Sequence, residues 1–225
     1  MADSPVPVAV LISGGLDSAV LLAEALREHA PVYSLYLRCG LHWEAVEQEH
    51  LRRFLEAIRR PELAPLQVLE MPVGDLYGNH WSTTGDQVPD ANSPDEAVYL
   101  PGRNVLFLAK AIIWCHLHGV PRLLLGILGA NPFPDATPAF FAAYQTAVNH
   151  AIGGHVEVCR PFAGLTKTQV LQRARGLPLE LTFSCIQPVN GRHCGRCNKC
   201  AERRRAFAAA GLPDATPYEE GPCIA

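Results

Sequence analysis

Seven consecutive residues, Ile12-Ser13-Gly14-Gly15-Leu16-Asp17-Ser18, combine backbone freedom with hydroxyl and carboxylate groups. Paired glycines let successive N–H groups turn toward an anion. A helix opening behind them adds unpaired donors and the positive end of its dipole. Ser13 and Ser18 supply hydroxyls, and Asp17 supplies a carboxylate suited to a Mg²⁺ carried on phosphate oxygens. With Ala19, this is chemistry for holding a polyphosphate. The alternative is a glycine-rich connector with no ligand. The order of residues matches neither the G-x-x-x-x-G-K-[ST] loop nor the dinucleotide G-x-G-x-x-G.

A second cluster lies near the other end, where Ser184-Cys185 precedes Cys194-Gly195-Arg196-Cys197-Asn198-Lys199-Cys200. Thiolates two residues apart in a glycine-containing turn converge on one tetrahedral ion, and Cys185 completes a set of four with Cys194, Cys197 and Cys200. Four thiolates with no open position describe a structural Zn²⁺ site. His193 competes as fourth ligand, an iron–sulfur site is the rival metal, and free core thiols are the reading without metal. Cys39, Cys115, Cys159 and Cys223 are scattered. Cys115 reads as inert packing, whereas Cys39 falls where a reactive thiol would meet a ligand.

Single residues add to these. Arg103 opens an apolar helix, where a guanidinium is either an anion clamp or a tie to an acidic neighbour. Lys167 is either solvated or an ammonium lent to phosphate. Asn131 and Asp135 lie in a turn after a strand, where they face a ligand or, for Asp135, begin a helix.

These residues must be positioned by a regular scaffold. Residues 8–12, entered from Pro5 and Pro7, form a short apolar run typical of a buried parallel strand. Residues 19–26 then favour helix. Strands at 31–37, 65–71, 122–127 and 156–161 alternate with helices at 44–60, 105–118 and 138–152, and a capping box at Thr166 and Gln169 opens one more helix. This alternation implies a doubly wound, mostly parallel α/β sheet, with ligands at the carboxyl ends of its strands. Residues 72–100 lack any clean period and read as a lid or binding loop, or else as a disordered insertion.

Bulk properties exclude several classes. A chain of 225 residues suits one α/β domain with a small appendage. The formal charge of −3 gives no basic field, so a stable nucleic-acid complex is not expected. No apolar stretch reaches the ~18 residues of a membrane span. The Met1-Ala2-Asp3-Ser4 start has no basic region leading into an apolar one, so no secretory signal is expected. Eight unevenly placed cysteines fit a reducing compartment, and the expected location is cytoplasmic.

The run Ser13-Gly14-Gly15-Leu16-Asp17-Ser18 resembles the S-G-G-x-D-S loop of the N-type ATP pyrophosphatases, which split ATP between its α- and β-phosphates. Further likeness is carried by Pro101-Gly102-Arg103-Asn104, Pro134-Asp135, the 161–167 segment and the four cysteines. With these, nearly the whole chain resembles the ExsB family of the queuosine pathway, the 7-cyano-7-deazaguanine synthases. The resemblance implies an adenine nucleotide alpha-hydrolase-like fold. Residues 1–160 would form the nucleotide-binding domain, and 161–225 a small helical zinc segment packed on it. It also implies ATP with Mg²⁺ and one structural Zn²⁺ as cofactors, a deazapurine acid and ammonia as small-molecule substrates, and a homodimer. The acid, 7-carboxy-7-deazaguanine, would be adenylated, aminated to an amide, adenylated again and converted to the nitrile, preQ0. On the same footing Ile12 to Ala19 bind ATP, Asp17, Arg103 and Lys167 are catalytic, Arg103, Asn131 and Asp135 contact the acid, and Cys185, Cys194, Cys197 and Cys200 hold zinc.

Two stretches depart from the family pattern. Arg38-Cys39-Gly40-Leu41-His42-Trp43 stands where the family has Asp-Tyr-Gly-Gln-Arg-His, and Thr137 closes a shortened turn where the family has an arginine. Both concern the acceptor. Three other readings follow: a ligase adenylating a different acid or base, a nucleotide-binding module without turnover, and a sulfur-transfer enzyme dependent on Cys39.

Overall fold

The computed structural model describes residues 6–129 and 131–219; Met1 to Pro5, Ala130 and Glu220 to Ala225, with Cys223 among them, lie outside the described residues. Five strands, β1 (Val8–Leu11), β2 (Val32–Arg38), β3 (Gln67–Glu70), β4 (Arg122–Leu125) and β5 (Glu157–Cys159), form one sheet in the order β3-β2-β1-β4-β5. Every pairing is parallel, with Val10 opposite Ser34 on one side and Leu124 on the other. The chain winds outward from β1 to β3, then returns to lay β4 on the other side of β1. The expected doubly wound α/β fold is thus observed. Its switch point falls between β1 and β4, where such sheets open a ligand crevice.

The alternation along β1 divides the core. Val8 and Val10 face a cluster with Leu21 and Leu22 of α1 (Leu16–Glu28), Phe54 of α2 (Glu44–Ala57) and Phe207 of α8 (Asn198–Ala210). Ala9 faces the opposite cluster, with Leu108 and Ile112 of α5 (Arg103–Leu117) and Phe141 of α6 (Pro138–Ile152). These period-two contacts are what a strand covered on both faces requires. The free edge of β5 is closed by side chains of α6. The Val156 N–H donates to Asn149 Oδ1 at 2.9 Å, and the Val158 N–H donates to Gln145 Oε1 at 2.5 Å.

Residues 72–100 are not the disordered insertion of the alternative reading. Two one-turn helices, α3 (Gly74–Tyr77) and α4 (Trp81–Thr84), and a 3₁₀ turn at Asp95–Val98 make them an ordered strap. The strap runs from β3 to the cysteine cluster, where the Asn198 N–H donates to Pro89 O at 2.9 Å. Trp81 stacks on Trp43, with ring centroids 5.8 Å apart. Val73, Val98 and Leu100 join Trp43, Phe183 and the four cysteines in a third apolar cluster. Apolar residues spread without period serve this third core, which explains why no helix or strand pattern is visible in the segment. Helix α7 (Lys167–Arg173) carries the expected capping box between Thr166 and Gln169.

Candidate active site

The glycine-rich run joins β1 to α1. Gly14 has φ +76°, a left-handed conformation that L side chains rarely adopt. A Cβ there would also stand 3.3 Å from Glu47 Cγ. Gly15 is the N-cap of α1 and offers no side-chain cap, so the first N–H groups of the helix are left for a ligand. Ser18 knits the loop: its Oγ accepts from the Ser13 N–H at 3.3 Å and donates to Gly15 O at 3.2 Å. Two further elements hold the loop in place. The Phe183 N–H donates to Gly14 O at 2.8 Å. Gly126, just past β4, lies so close that a Cβ would be 3.1 Å from the backbone of Asp17 and Ser18.

Above this loop is a cavity of about 320 Å³, at the carboxyl ends of β1, β2 and β4. Its walls include Ile12, Ser13, Gly15, Leu16, Asp17 and Ser18 from the loop, Arg103 and Phe107 from α5, Lys167 from α7, and Lys199, Glu202 and Arg203 from α8. A larger space of about 530 Å³ lies between the end of α6 and β5, lined by Gln145, Asn149, His150 and His155. It is an open surface groove remote from the loop and lacks the converging cations of the smaller cavity. Neither Gly14 nor Ala19 lines the smaller cavity: Gly14 backs on Glu47, and Ala19 is buried, its N–H donating to Gly15 O at 3.1 Å.

The cavity concentrates charge. Lys167 Nζ lies 2.7 Å from Asp17 Oδ2 and 3.6 Å from Glu202 Oε1, and Lys199 Nζ lies 2.7 Å from Glu202 Oε2. Burial acts to lower the Lys167 pKa, but Asp17 and Glu202 outweigh it and the pKa is raised, so the ammonium persists. Burial acts in the opposite sense on Glu202, where Lys199 and Lys167 prevail and hold the carboxylate ionised. The other oxygen of Asp17, Oδ1, is buried without a hydrogen-bond partner. Arg103 forms no ion pair among the described residues. Its guanidinium lies over the Phe107 ring at 4.7 Å and its buried Nε has no acceptor. No carboxylate forms an ion pair with it among the described residues, and a half-buried cation with an unused donor is what an anion clamp requires.

Arg203 is 1 % exposed and bonds only to neutral acceptors, Thr216 Oγ1 at 2.7 Å, Thr182 Oγ1 at 2.9 Å, Ser184 Oγ at 3.3 Å and Leu179 O at 2.7 Å. It adds a positive charge to the cavity and fixes the segment on either side of Phe183. Glu47 and Tyr36, joined by a 2.6 Å hydrogen bond from the phenol, line the wall beside Trp43.

Two expected substrate contacts are not brought to the cavity. Asp135 is 6 % exposed, and its Oδ2 accepts the Asn104 N–H at 3.0 Å. The Asn104 side chain in turn donates to Asp135 O at 3.0 Å. The carboxylate thus caps the start of α5, whose own N-cap Gly102 supplies no side-chain acceptor. Asn131 Oδ1 accepts the Phe133 N–H at 3.0 Å, stabilising the turn. Cys39 is buried outside the cavity wall, and burial pushes its thiol up to about 12, which disfavours the thiolate that sulfur transfer needs.

The sulfur atoms of Cys185, Cys194, Cys197 and Cys200 lie within 4.8 Å of one another, with 3.9 Å between Cys185 and Cys197 and between Cys194 and Cys200. A tetrahedral ion bonded to sulfur at about 2.3 Å separates its ligands by about 3.8 Å. The cluster has that spacing and could hold a metal. His193 is not part of it: its Nε2 accepts the Ser184 N–H at 3.1 Å, and burial lowers its pKa to about 3.

Glu47, Tyr36, Glu202, Lys199 and Arg203 escape the sequence reading. A signal existed for two. Glu47 continues the stripe of Leu51, Phe54 and Ile58, and Arg203 lies in that of Cys200 and Phe207, so each is a charged residue at a core position of its helix.

Against known proteins, the sequence profile described as "Queuosine biosynthesis protein QueC" matches residues 7–211. The 7-cyano-7-deazaguanine synthase of Azoarcus sp. strain BH72 is 34% identical over 97% of this chain and 99% of its own. That of Pseudomonas paraeruginosa strain PA7 is 33% identical over 93% and 96%. Among solved structures, a 4-thiouridine synthetase in complex with RNA and bound ATP aligns with a TM-score of 0.51 at 18% identity, covering 91% of this chain and 50% of that one. This last likeness speaks to fold.

Proposed function

The chain belongs to the QueC family of queuosine biosynthesis proteins, and from that membership we propose an ATP-dependent ligase that converts 7-carboxy-7-deazaguanine and ammonia to 7-cyano-7-deazaguanine. The observation that carries the reading is the cavity at the switch point, with a phosphate loop on one wall and the unpaired guanidinium of Arg103 on another.

A carboxylate is a poor acyl donor, and attaching AMP converts one of its oxygens into a leaving group. The α1 N-terminus and the Ser13-to-Ser18 loop hold the phosphates of ATP, and Lys167 and Arg103 meet the negative charge that grows on them. Asp17, with one oxygen on Lys167 and the other unpartnered, has the donor needed for Mg²⁺. When bound, Mg²⁺ neutralises phosphate charge and favours departure of pyrophosphate. Cys185, Cys194, Cys197 and Cys200 hold a structural Zn²⁺. Asn131 and Asp135 shape the acid's side of the site through the turn and the start of α5 rather than by contact. The same reading carries a cytoplasmic homodimer, with residues 161–225 acting as a zinc segment on a 1–160 nucleotide domain.

A different acid as acceptor is the second reading, favoured by Trp43, which lies in the departing 38–43 stretch and lines the cavity. The nucleotide products test the shared step. With Mg-ATP, ammonium and 7-carboxy-7-deazaguanine, the expected products are AMP and pyrophosphate in a two-to-one ratio to base consumed. Release of ADP and phosphate, or AMP formed without dependence on the acid, would overturn the proposal.

A further inference from the structure

Glu47 has no part in the chemistry above, yet its placement is unusual. It is a buried carboxylate on the first turns of α2, it lines the cavity, and it forms no ion pair among the described residues. It also lies against the phosphate loop, since its Cγ is the first atom that a Cβ on Gly14 would meet, at 3.3 Å. Its Oε2 is fixed by the Tyr36 hydroxyl at 2.6 Å. A carboxylate is costly to bury and is rarely kept against a ligand cavity without use.

The nitrile-forming reaction sets a specific requirement. Ammonia brings three N–H bonds to the substrate carbon, and the nitrile retains none. In amide formation the nitrogen lone pair makes the C–N bond, the bond from carbon to the AMP oxygen breaks with its pair leaving on AMP, and one proton leaves nitrogen. In the second half the amide oxygen bonds to the α-phosphorus of ATP, and pyrophosphate departs. AMP then leaves with its bonding pair while the remaining two protons are removed, so the N–H electrons complete the triple bond. No oxidant or reductant is involved. A base must stand beside the phosphate loop to take these protons, because the oxygen that departs is the one bonded to phosphorus. Lys167 is poorly suited, its ammonium being held by Asp17 and Glu202.

We propose that Glu47 is the catalytic base that removes protons from the substrate nitrogen, with Tyr36 as its positioning residue. The inference rests on the nitrile-forming reading of the site. The electrostatics suit a base. Burial, opposed by Tyr36, Arg103 and Trp43 and reinforced by Glu44, raises the Glu47 pKa to about 7, close to the pH at which a base exchanges protons best. The facing groups are Tyr36 from β2, Arg103 from α5, and Trp43 and Glu44 at the start of α2.

Adenylation of the acid moves no proton from nitrogen, so it separates this role from binding. For Glu47→Gln, acid-dependent exchange of pyrophosphate into ATP in the absence of ammonium is expected to stay within about threefold of the unaltered protein. Conversion of the amide to the nitrile is expected to fall at least 100-fold, the lower end of what a general base contributes, with partial rescue in Glu47→Asp. Tyr36→Phe removes a hydrogen bond that favours the ionised carboxylate. It should therefore move the acid limb of the amide-to-nitrile pH profile to higher pH by about one unit. This variant serves if Glu47→Gln fails to fold. Nitrile formation by Glu47→Gln at the unaltered rate would overturn the assignment. So would loss of exchange with a raised KM for the acid, which would make Glu47 a reader of the donor edge of the base. Absence of nitrile with the unaltered protein would instead remove the reading on which the inference rests.

Discussion

Arg103, half-buried, and Glu47, buried, are two charges facing one cavity without an ion-pair partner among the described residues. The Arg103 Nε is buried without an acceptor, and its guanidinium lies over the Phe107 ring. Because no ion pair is broken by its removal, Arg103→Gln is expected to leave the melting temperature within about 2 °C. The same change should lower kcat/KM for acid-dependent AMP release about 100-fold. Steady-state assays beside a thermal melt check both, and a large loss of stability would mean that the guanidinium is structural. Arg103 was legible because a guanidinium opening an apolar helix needs an anion. Asp135 was equally conspicuous in the sequence, yet its carboxylate is taken by the Asn104 N–H, a partner 31 positions away that no local pattern discloses. Glu47 continues the apolar stripe of Leu51 and Phe54, but that signal is weak because a carboxylate in a charged run such as Glu44 to Glu49 is ordinarily solvated, and here neighbouring strands bury it.

The β1 turn and the cysteine cluster are joined by a short thread. Cys185 is a member of the cluster, and two residues before it the Phe183 N–H holds Gly14 O. Arg203 grips Thr182 and Ser184 on either side. Loss of a metal held by the cluster is therefore expected to loosen the floor of the cavity. For Cys185→Ser, metal content measured by mass spectrometry is expected to fall from one zinc per chain. The melting temperature should drop by about 10 °C, and ATP affinity should decline with it. A metal-free variant that melts and binds ATP like the original would contradict the coupling. The period of α1, the capping box of α7 and the C-x-x-C-x-x-C spacing were all readable, because each is set by near neighbours. The 72–100 strap was not, because its apolar residues pack against Trp43, Phe183 and the cysteines.

The cavity lies where the strand order of the sheet reverses. The strand alternation alone foretold that crevice, and the loop foretold which end of it carries phosphate. The wall opposite the loop is assembled from β2, the start of α2 and α5, elements far apart in sequence, and the departures at residues 38–43 and 137 could be weighed only once these were seen together. Trp43 does reach the cavity, whereas Thr137 accepts the Phe140 N–H at 3.2 Å and caps α6. The shortened turn is therefore a helix start, and of the two departing stretches only residues 38–43 reach the cavity, through Trp43. Mass spectrometry of the base after incubation with Mg-ATP, ¹⁵N-ammonium and 7-carboxy-7-deazaguanine bears directly on this account. The predicted outcome is 7-cyano-7-deazaguanine carrying one ¹⁵N, with the singly labelled amide as its precursor. Recovery of the unchanged acid by protein that binds ATP would contradict it and would assign the cavity to another acid.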